Sequence, residues 1–321
     1  MLYVKPLKAN YLGNKTKHMG LFYRTLQGDV PKFCDLTSGS NIVPLFFAEH
    51  RNTKALVLND VSEYPRLISE ALCCPPIPIG KIAEKIYAIE PRAGWMSNST
   101  LSEAKLPFDQ EVKEWIDGAA SAWKDDPLLL TSLAFVLTES CTRWATVGFH
   151  VPTCRAFTVE SLQGRTYKRA AALQRRNISK CDVTITCHNY LNLSKEVAKS
   201  LRGFVVYLDA AWPTQASTKT LSIDKTYGFY AGTLMSVLRQ RDVALPKEYG
   251  TTEDECYEGI RETIRNVVAH GSKFLLAYQS KDKETNYAIE TKVLDGLNYE
   301  YAEELRHGQV DYMECLWKIE A

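Results

Sequence analysis

The stretch FVVYLDAAWPTQ, residues 204 to 215, ends an apolar run in one carboxylate, Asp209, and sets a large aromatic, Trp212, three positions later. A strand that delivers a carboxylate and then an aromatic face can hold a flat ring bearing an amino group, the acid accepting an N–H while the ring stacks. A second constellation lies near the start. FCDLTSGSNIVPLFFAEHRNTKALVLND reads as a strand, a tight Ser-Gly-Ser turn, a helix, a second strand and an acid. Such a half-unit brings backbone amides to a nucleotide and lets the second acid accept hydrogen bonds from ribose hydroxyls. Asp60 follows Asp35 by 25 residues, near the expected interval of roughly 20. Gly39 stands alone, with Asn41 where a second glycine would sit, which argues against a dinucleotide and a pyrophosphate cradle. A strand-capping turn fits the same residues as well as a binding loop does. Upstream, Tyr11-Leu12-Gly13-Asn14-Lys15 places a lysine in a loop before the first helix, where it can meet a carboxylate or simply solvent.

These residues need a frame. Lys32–Leu36, Ala55–Leu58, Val183–Cys187, Phe204–Leu208 and Phe274–Tyr278 read as strands, several apolar on both faces as buried parallel strands are. Between the last two, an acid-rich start at Thr251–Glu255, helical spacing of Ile260, Ile264 and Val267-Val268, and a His270-Gly271 stop predict a helix. Strand–helix alternation predicts an α/β sheet with helices on both faces. Residues from about 71 to 179 break the rhythm: Cys74-Pro75-Pro76-Ile77-Pro78 punctuates the entry, and helical pieces with four tryptophans (95, 115, 123, 144) follow. This predicts a mainly helical insertion, its tryptophans serving packing more than base stacking. The acidic C-terminal segment with Glu300, Glu303 and Glu304 reads as a solvated helix face.

Bulk properties narrow the classes. The 321 residues are 45% hydrophobic and 24% charged with a formal net charge of +1, an ordinary globular composition. MLYVKPLKANYLG is too short and mixed for a signal peptide, and the longest apolar-rich stretch, Pro127 to Val136, falls short of a membrane span. Nine scattered cysteines without a C-x-x-C pair favour neither a metal site nor a disulfide framework. A cytoplasmic protein without membrane or metal partners is expected. Charge is uneven: between Arg143 and Lys180 there are eight Lys/Arg (143, 155, 165, 168, 169, 175, 176, 180) and one acid, Glu160, a local net of +7. Such a segment is either a solvated face or a polyanion contact, and asymmetry of this size favours the second.

Taken in order, Y-L-G-N-K at 11–15, D-L-T-S-G-S-N at 35–41, N-D at 59–60, G-F-H-V-P at 148–152, L-D-A-A-W-P at 208–213 and F-L-L-A-Y at 274–278 resemble the Dam-like class of S-adenosylmethionine-dependent DNA adenine-N6 methyltransferases. That class runs a G-x-K loop, a D-x-F-x-G-S-G loop, an N-D pair, an inserted target-recognition domain with G-x-F-N-V-P, a D-P-P-Y tetrapeptide and an L-L-S-Y strand. The resemblance spans nearly the whole chain. It implies a Rossmann-like methyltransferase sheet made by residues 1–70 and 180–321, with a target-recognition domain at 71–179. It implies that Tyr11 and Lys15 lie against the cofactor, that Asp35, Gly39 and Ser40 form its loop, and that Asp60 holds its ribose. Asp209, Ala210 and Trp212 take the catalytic tetrapeptide. Arg143, His150, Arg155, Arg165, Lys168, Arg169, Arg175 and Arg176 face double-stranded DNA.

The chemistry suits those residue types. Adenine's exocyclic nitrogen is a poor nucleophile because its lone pair is delocalised into the ring. A carboxylate and a main-chain carbonyl, each accepting one N–H, favour a pyramidal nitrogen whose lone pair points at the sulfonium methyl; such aimed acceptors are worth several kcal/mol in a dry site. The base must leave the duplex, and an indole face stabilises the extruded ring by roughly 1–3 kcal/mol. Alanines in place of prolines surrender backbone rigidity but keep the acceptors. D-A-A-W is thus compatible with a working site of looser aim or with a weakened one. Three further departures stand out: Asn189, in Cys187-His188-Asn189-Tyr190, where the family places an acid for the cofactor's adenine amine; Asn41 for a loop glycine, expected to narrow the cofactor pocket; and Ala277 for a serine. The leading expectation is a DNA adenine-N6 methyltransferase. The alternatives are a methyltransferase-like DNA-binding module of a restriction or phage-related system with weakened catalysis, and methyl transfer to an amino group in RNA or protein.

Overall fold

The structure, a computed structural model, describes residue 15 and residues 19–99, 106–139, 149, 151–209, 229–244, 253–280, 283–306 and 312–321. Seven strands form one sheet in the order β3-β2-β1-β4-β5-β7-β6. Five are mutually parallel: β1 (Lys32–Asp35), β2 (Ala55–Asn59), β3 (Asp182–Thr186), β4 (Val205–Asp209) and β5 (Lys273–Ser280). These are the five strands expected from their β-branched and aromatic runs, shifted by a residue or two at their ends. The last two are β6 (Asn298–Arg306) and β7 (Tyr312–Glu320); β7 runs antiparallel to both β5 and β6. The 3-2-1-4-5 half is compatible with a Rossmann-like α/β fold.

Successive side chains on a strand point to opposite faces, and both faces are covered. Phe33, Leu56, Tyr207 and Leu275 enter one apolar cluster, while Cys34, Val206, Phe274 and Trp317 enter a second. The first face carries α1 (Met19–Thr25), α2 (Ile42–His50) and α3 (Glu63–Cys73). Then follow α4 (Ile79–Tyr87), α5 (Gln110–Ala122), α6 (Pro127–Glu139), α7 (Val151–Arg155) and α8 (Val159–Gln174), all before β3. These five helices make the expected insertion helical, and their apolar side chains belong to the same cluster as the sheet's first face: Trp115, Trp123, Leu129 and Phe135 share it with Phe33 and Phe46. α9 (Lys195–Ser200) covers the second face, α10 (Met235–Arg239) returns to the first, and α11 (Glu253–Ala269) and α12 (Lys283–Lys292) join α9. The helix expected from the 251–271 pattern is α11.

One expectation fails. Glu300, Glu303 and Glu304 lie on β6, not on a helix. Glutamate's helix preference is weak beside the ladder that β7 offers, and on an edge strand charged side chains also discourage pairing with other sheets. Lys318 of β7 meets Glu300 across the ladder at 3.1 Å, and Arg24 of α1 meets Glu304 at 2.9 Å.

The insertion is tied to the segment after β4. The buried carboxylate of Asp117 on α5 accepts from the backbone N–H of Met96 and Ser97 and from Gln240 Nε2, at 2.9, 2.8 and 2.7 Å. Gln240 Oε1 in turn accepts from the N–H of Trp95 at 2.9 Å.

Candidate active site

Parallel strands end together, so the residues that follow β1, β2 and β4 meet at one edge of the sheet. Asp35 closes β1, Asp60 follows β2 and Asp209 closes β4. The sheet order reverses between β1 and β4, which is where open α/β sheets hold ligands.

The turn after β1 is built from its own polar groups. Asp35 Oδ1 accepts the Thr37 N–H at 3.0 Å. The Ser38 N–H donates to the Asn59 carbonyl at 2.9 Å, and the Gly39 N–H donates to Asp60 Oδ2 at 3.0 Å. Gly39 has φ 45° and Asn41 φ 57°, left-handed values that glycine adopts freely and asparagine tolerates best among the rest. This explains the residue types. The fully buried Asn41 side chain turns to α3, where Nδ2 donates to the Pro65 carbonyl at 3.3 Å and Oδ1 accepts from Ser69 Oγ at 2.9 Å, anchoring the loop to α3. Ser40 is buried in the same turn.

Asn59, quoted from the sequence only as part of the N-D pair, is a hub. Its Nδ2 donates to the carbonyls of Leu36 and His188, both at 2.9 Å, and its Oδ1 accepts from Thr186 Oγ1 at 2.8 Å and from the His188 N–H at 2.7 Å. Every hydrogen-bonding site of that amide is used, which ties the ends of β1, β2 and β3 together. Thr37 and Ser38, quoted as part of the 35–41 loop, were likewise given no role of their own. Thr37 Oγ1 accepts the Asp209 N–H at 3.0 Å. Ser38 Oγ is buried and has no hydrogen-bond partner among the described residues.

The electrostatics of the cluster is that of acids held in place against their preference for water. Burial raises the Asp35 pKa well above the usual carboxylate range; the Thr37 N–H opposes this, and the neighbouring Asp209 and Asp60 charges add to it. Burial pushes Asp60 up to about 6 despite the N–H groups of Ser62 and Gly39 and the charge of Arg66. Burial raises Asp209 too, opposed by Lys15, whose Nζ sits 3.0 Å from Asp209 Oδ1. Their side chains are 11% and 23% exposed, so Asp209 keeps a solvent-facing edge.

The structure therefore brings Lys15, Asp35, Gly39, Ser40, Asp60 and Asp209 to one place. Asn189 lies just beyond β3, its Oδ1 accepting the Leu191 N–H at 2.9 Å as the cap of a short 3-10 turn, Tyr190–Asn192. Tyr11, Ala210, Trp212, Arg143 and His150 lie outside the described residues.

Among the expected DNA-facing residues, Arg165, Arg169 and Arg176 are engaged by acids. Arg165 Nη1 donates to Glu139 Oε2 at 3.0 Å, Arg169 Nε to Glu139 Oε1 at 2.8 Å, and Arg176 Nε to Glu49 at 2.6 Å. The acids come from α6 and α2, outside the basic window, so three of its cations are paired within the fold. Lys168 and Arg175 are exposed on α8 and just beyond it, and Arg155 is exposed at the end of α7. Among the described residues no group of three or more His, Cys, Asp or Glu is placed to hold a metal ion, no helix is long and apolar enough to cross a membrane, and the cysteines are unbridged.

No protein-family model matches this chain, and no curated protein matches it either.

Proposed function

We propose that this chain is an S-adenosylmethionine-dependent DNA adenine-N6 methyltransferase of the cytoplasm, acting on an adenine flipped from duplex DNA. The observation that carries the reading is the gathering of Asp35, Asp60, Asp209 and Lys15 at the point where the strand order reverses. The six motifs of the resemblance are spread over nearly the whole sequence, and the described parts of the lysine loop, the 35–41 loop, the N-D pair and the β4 end meet there.

The residues fit the cofactor. Asp60 has two oxygens with about four acceptor positions; the Gly39 and Ser62 N–H groups use two, leaving acceptors for ribose hydroxyls. Ser38 Oγ, buried without a partner, is a polar group that a ligand would satisfy, because an orphaned buried hydroxyl costs about 1–3 kcal/mol. Asp35 would line the same loop, and Lys15 is a cation suited to a carboxylate. When bound, S-adenosylmethionine supplies an electrophilic methyl group. Asp209 would accept one N–H of the adenine amine and the Ala210 carbonyl the other, aiming the nitrogen lone pair, while Trp212 would stack on the ring. Lys168 and Arg175 would meet phosphates.

A second reading, a DNA-binding module of the same fold with weakened transfer, draws on Asn189, whose side-chain oxygen already serves as a cap, and on Lys15, which neutralises Asp209. Mass spectrometry of genomic adenine from cells expressing the protein, beside an Asp209→Ala variant, separates the two. N6-methyladenine in the wild type and a loss of about 100-fold or more in the variant supports the enzyme; equal amounts in both remove Asp209 from the mechanism.

A further inference from the structure

We infer that Thr37 is a positioning residue for Asp209, its side-chain hydroxyl completing the β1–β4 ladder where the main chain does not. The inference rests on the proposed methyl transfer for its catalytic consequence, and on the strand register for its geometry. β1 and β4 pair in parallel at a constant offset: Phe33 with Val205, Cys34 with Val206, Asp35 with Tyr207. The last main-chain rung is the Leu36 N–H donating to the Tyr207 carbonyl at 2.9 Å. Parallel pairing sends the next bond from the Asp209 N–H back to the Leu36 carbonyl. That carbonyl instead accepts the Asn59 amide at 2.9 Å. The Asp209 N–H turns to Thr37 Oγ1, 3.0 Å away across 172 residues. Extending the β1–β4 offset pairs position 37 with position 209, so the hydroxyl stands directly opposite the group it receives.

The consequence is mechanical. Asp209 is the last residue of β4, and on its other side the register joins it to Ala277 of β5. β4 is thus held from both sides at this end, by its register with β5 and, at the Asp209 N–H, by one hydroxyl on the β1 side. Fixing the Asp209 N–H fixes the plane from which its carboxylate projects. The same Thr37 donates its own N–H to Asp35 at 3.0 Å, so one residue links the acid ending β1 to the acid ending β4. The motif at 35–41 contains this position without giving it a role; the register and the occupied Leu36 carbonyl do.

The test compares the full-length protein with Thr37→Val, which keeps the shape and removes the acceptor, and Thr37→Ser, which restores it. Single-turnover methyl transfer from S-adenosylmethionine to unmethylated genomic duplex DNA is measured beside the KM for S-adenosylmethionine. Amide hydrogen exchange at Asp209 is followed in parallel. Thr37→Val is expected to lower kcat by roughly 10- to 100-fold, the scale of a small misplacement of reacting groups, with KM for the cofactor nearly unchanged. Asp209 amide protection should fall in the same variant, and Thr37→Ser should recover both. A valine variant that transfers as fast as wild type, or one whose KM rises at constant kcat, overturns the positioning role. So does unchanged exchange at Asp209. If the wild type itself transfers no methyl group, the parent reading fails, while the exchange measurement still decides whether Thr37 holds Asp209.

Discussion

The crevice at the ends of β1, β2 and β4 and the basic face of α8 both carry concentrated charge, and they treat it in opposite ways. In the crevice three acids are buried, the charges of Asp60 and Asp209 adding to the raised pKa of Asp35, and within hydrogen-bonding distance they have backbone N–H groups and one lysine. On α8 and just beyond it, three cations that looked free in the local sequence, Arg165, Arg169 and Arg176, are matched by acids from α6 and α2. The difference separates stored electrostatic cost, which a ligand can relieve, from charge already spent on holding helices together. A local net charge counted along the chain overstates what is offered to a partner, because the neutralising residue is a neighbour in space and not in sequence.

The largest effect that would sharpen this contrast is at Asp60. Its carboxyl titrates at about 6 in the folded protein, against 3.8 for the unperturbed group. The folded chain therefore binds this proton more tightly than the unfolded chain. The stability it contributes is fully present below the unfolded pKa and is lost as pH rises through about 6, on the order of 3 kcal/mol for this group alone. Ligand binding should run the other way. The ionised carboxylate is the better acceptor for ribose hydroxyls, so S-adenosylmethionine affinity should rise roughly tenfold between pH 5 and pH 7.5, and Asp60→Asn should flatten both slopes. Calorimetric titration and thermal unfolding across that range read them, and pH-independent curves in the wild type would erase the crevice side of the comparison.

Glu139→Gln comes next. Removing the charge shared by Arg165 and Arg169 should lower stability by about 1–2 kcal/mol, seen as a drop in Tm. It should also steepen the salt dependence of duplex-DNA binding by up to about two units of slope as the two cations become available to phosphate. An unchanged Tm and slope would mean that the pairing does not restrain them. The smallest effects belong to Lys168→Ala and Arg175→Ala. Each should flatten the salt slope by about 0.9 and leave Tm in place. Equal slopes in wild type and variants would take α8 off the DNA-facing surface.

Much of this frame is legible in the sequence, for physical reasons. A buried parallel strand must be apolar on both sides, so Phe33-Cys34, Val206-Tyr207-Leu208 and Phe274-Leu275-Leu276 stand out as short continuous runs. Asp35, Asp60 and Asp209 follow such runs, and parallel strands deliver their C-terminal ends to one edge. β6 escapes this logic. It is an edge strand in which Tyr299, Tyr301 and Ala302 are interspersed with Glu300, Glu303 and Glu304, and only its partner β7, met through long-range pairing, distinguishes it from a helix. Thr37 and Asn59 escape for a related reason. Their importance lies in which main-chain groups are left unpaired once the sheet has formed, and side-chain type alone does not report that. Asn41 shows the converse, a departure from the family's loop that becomes intelligible through its φ and its bonds to α3.

The cluster that joins Trp115, Leu129 and Phe135 to Phe33 and Tyr207 bears on how this chain can be taken apart. A segment that rests its apolar side on another's strands is not a portable cassette. Expressed by itself, the 71–179 stretch would present that side to water and aggregate or stay molten, and swapping it between scaffolds would require carrying α2, α3 and the β1 face along with it.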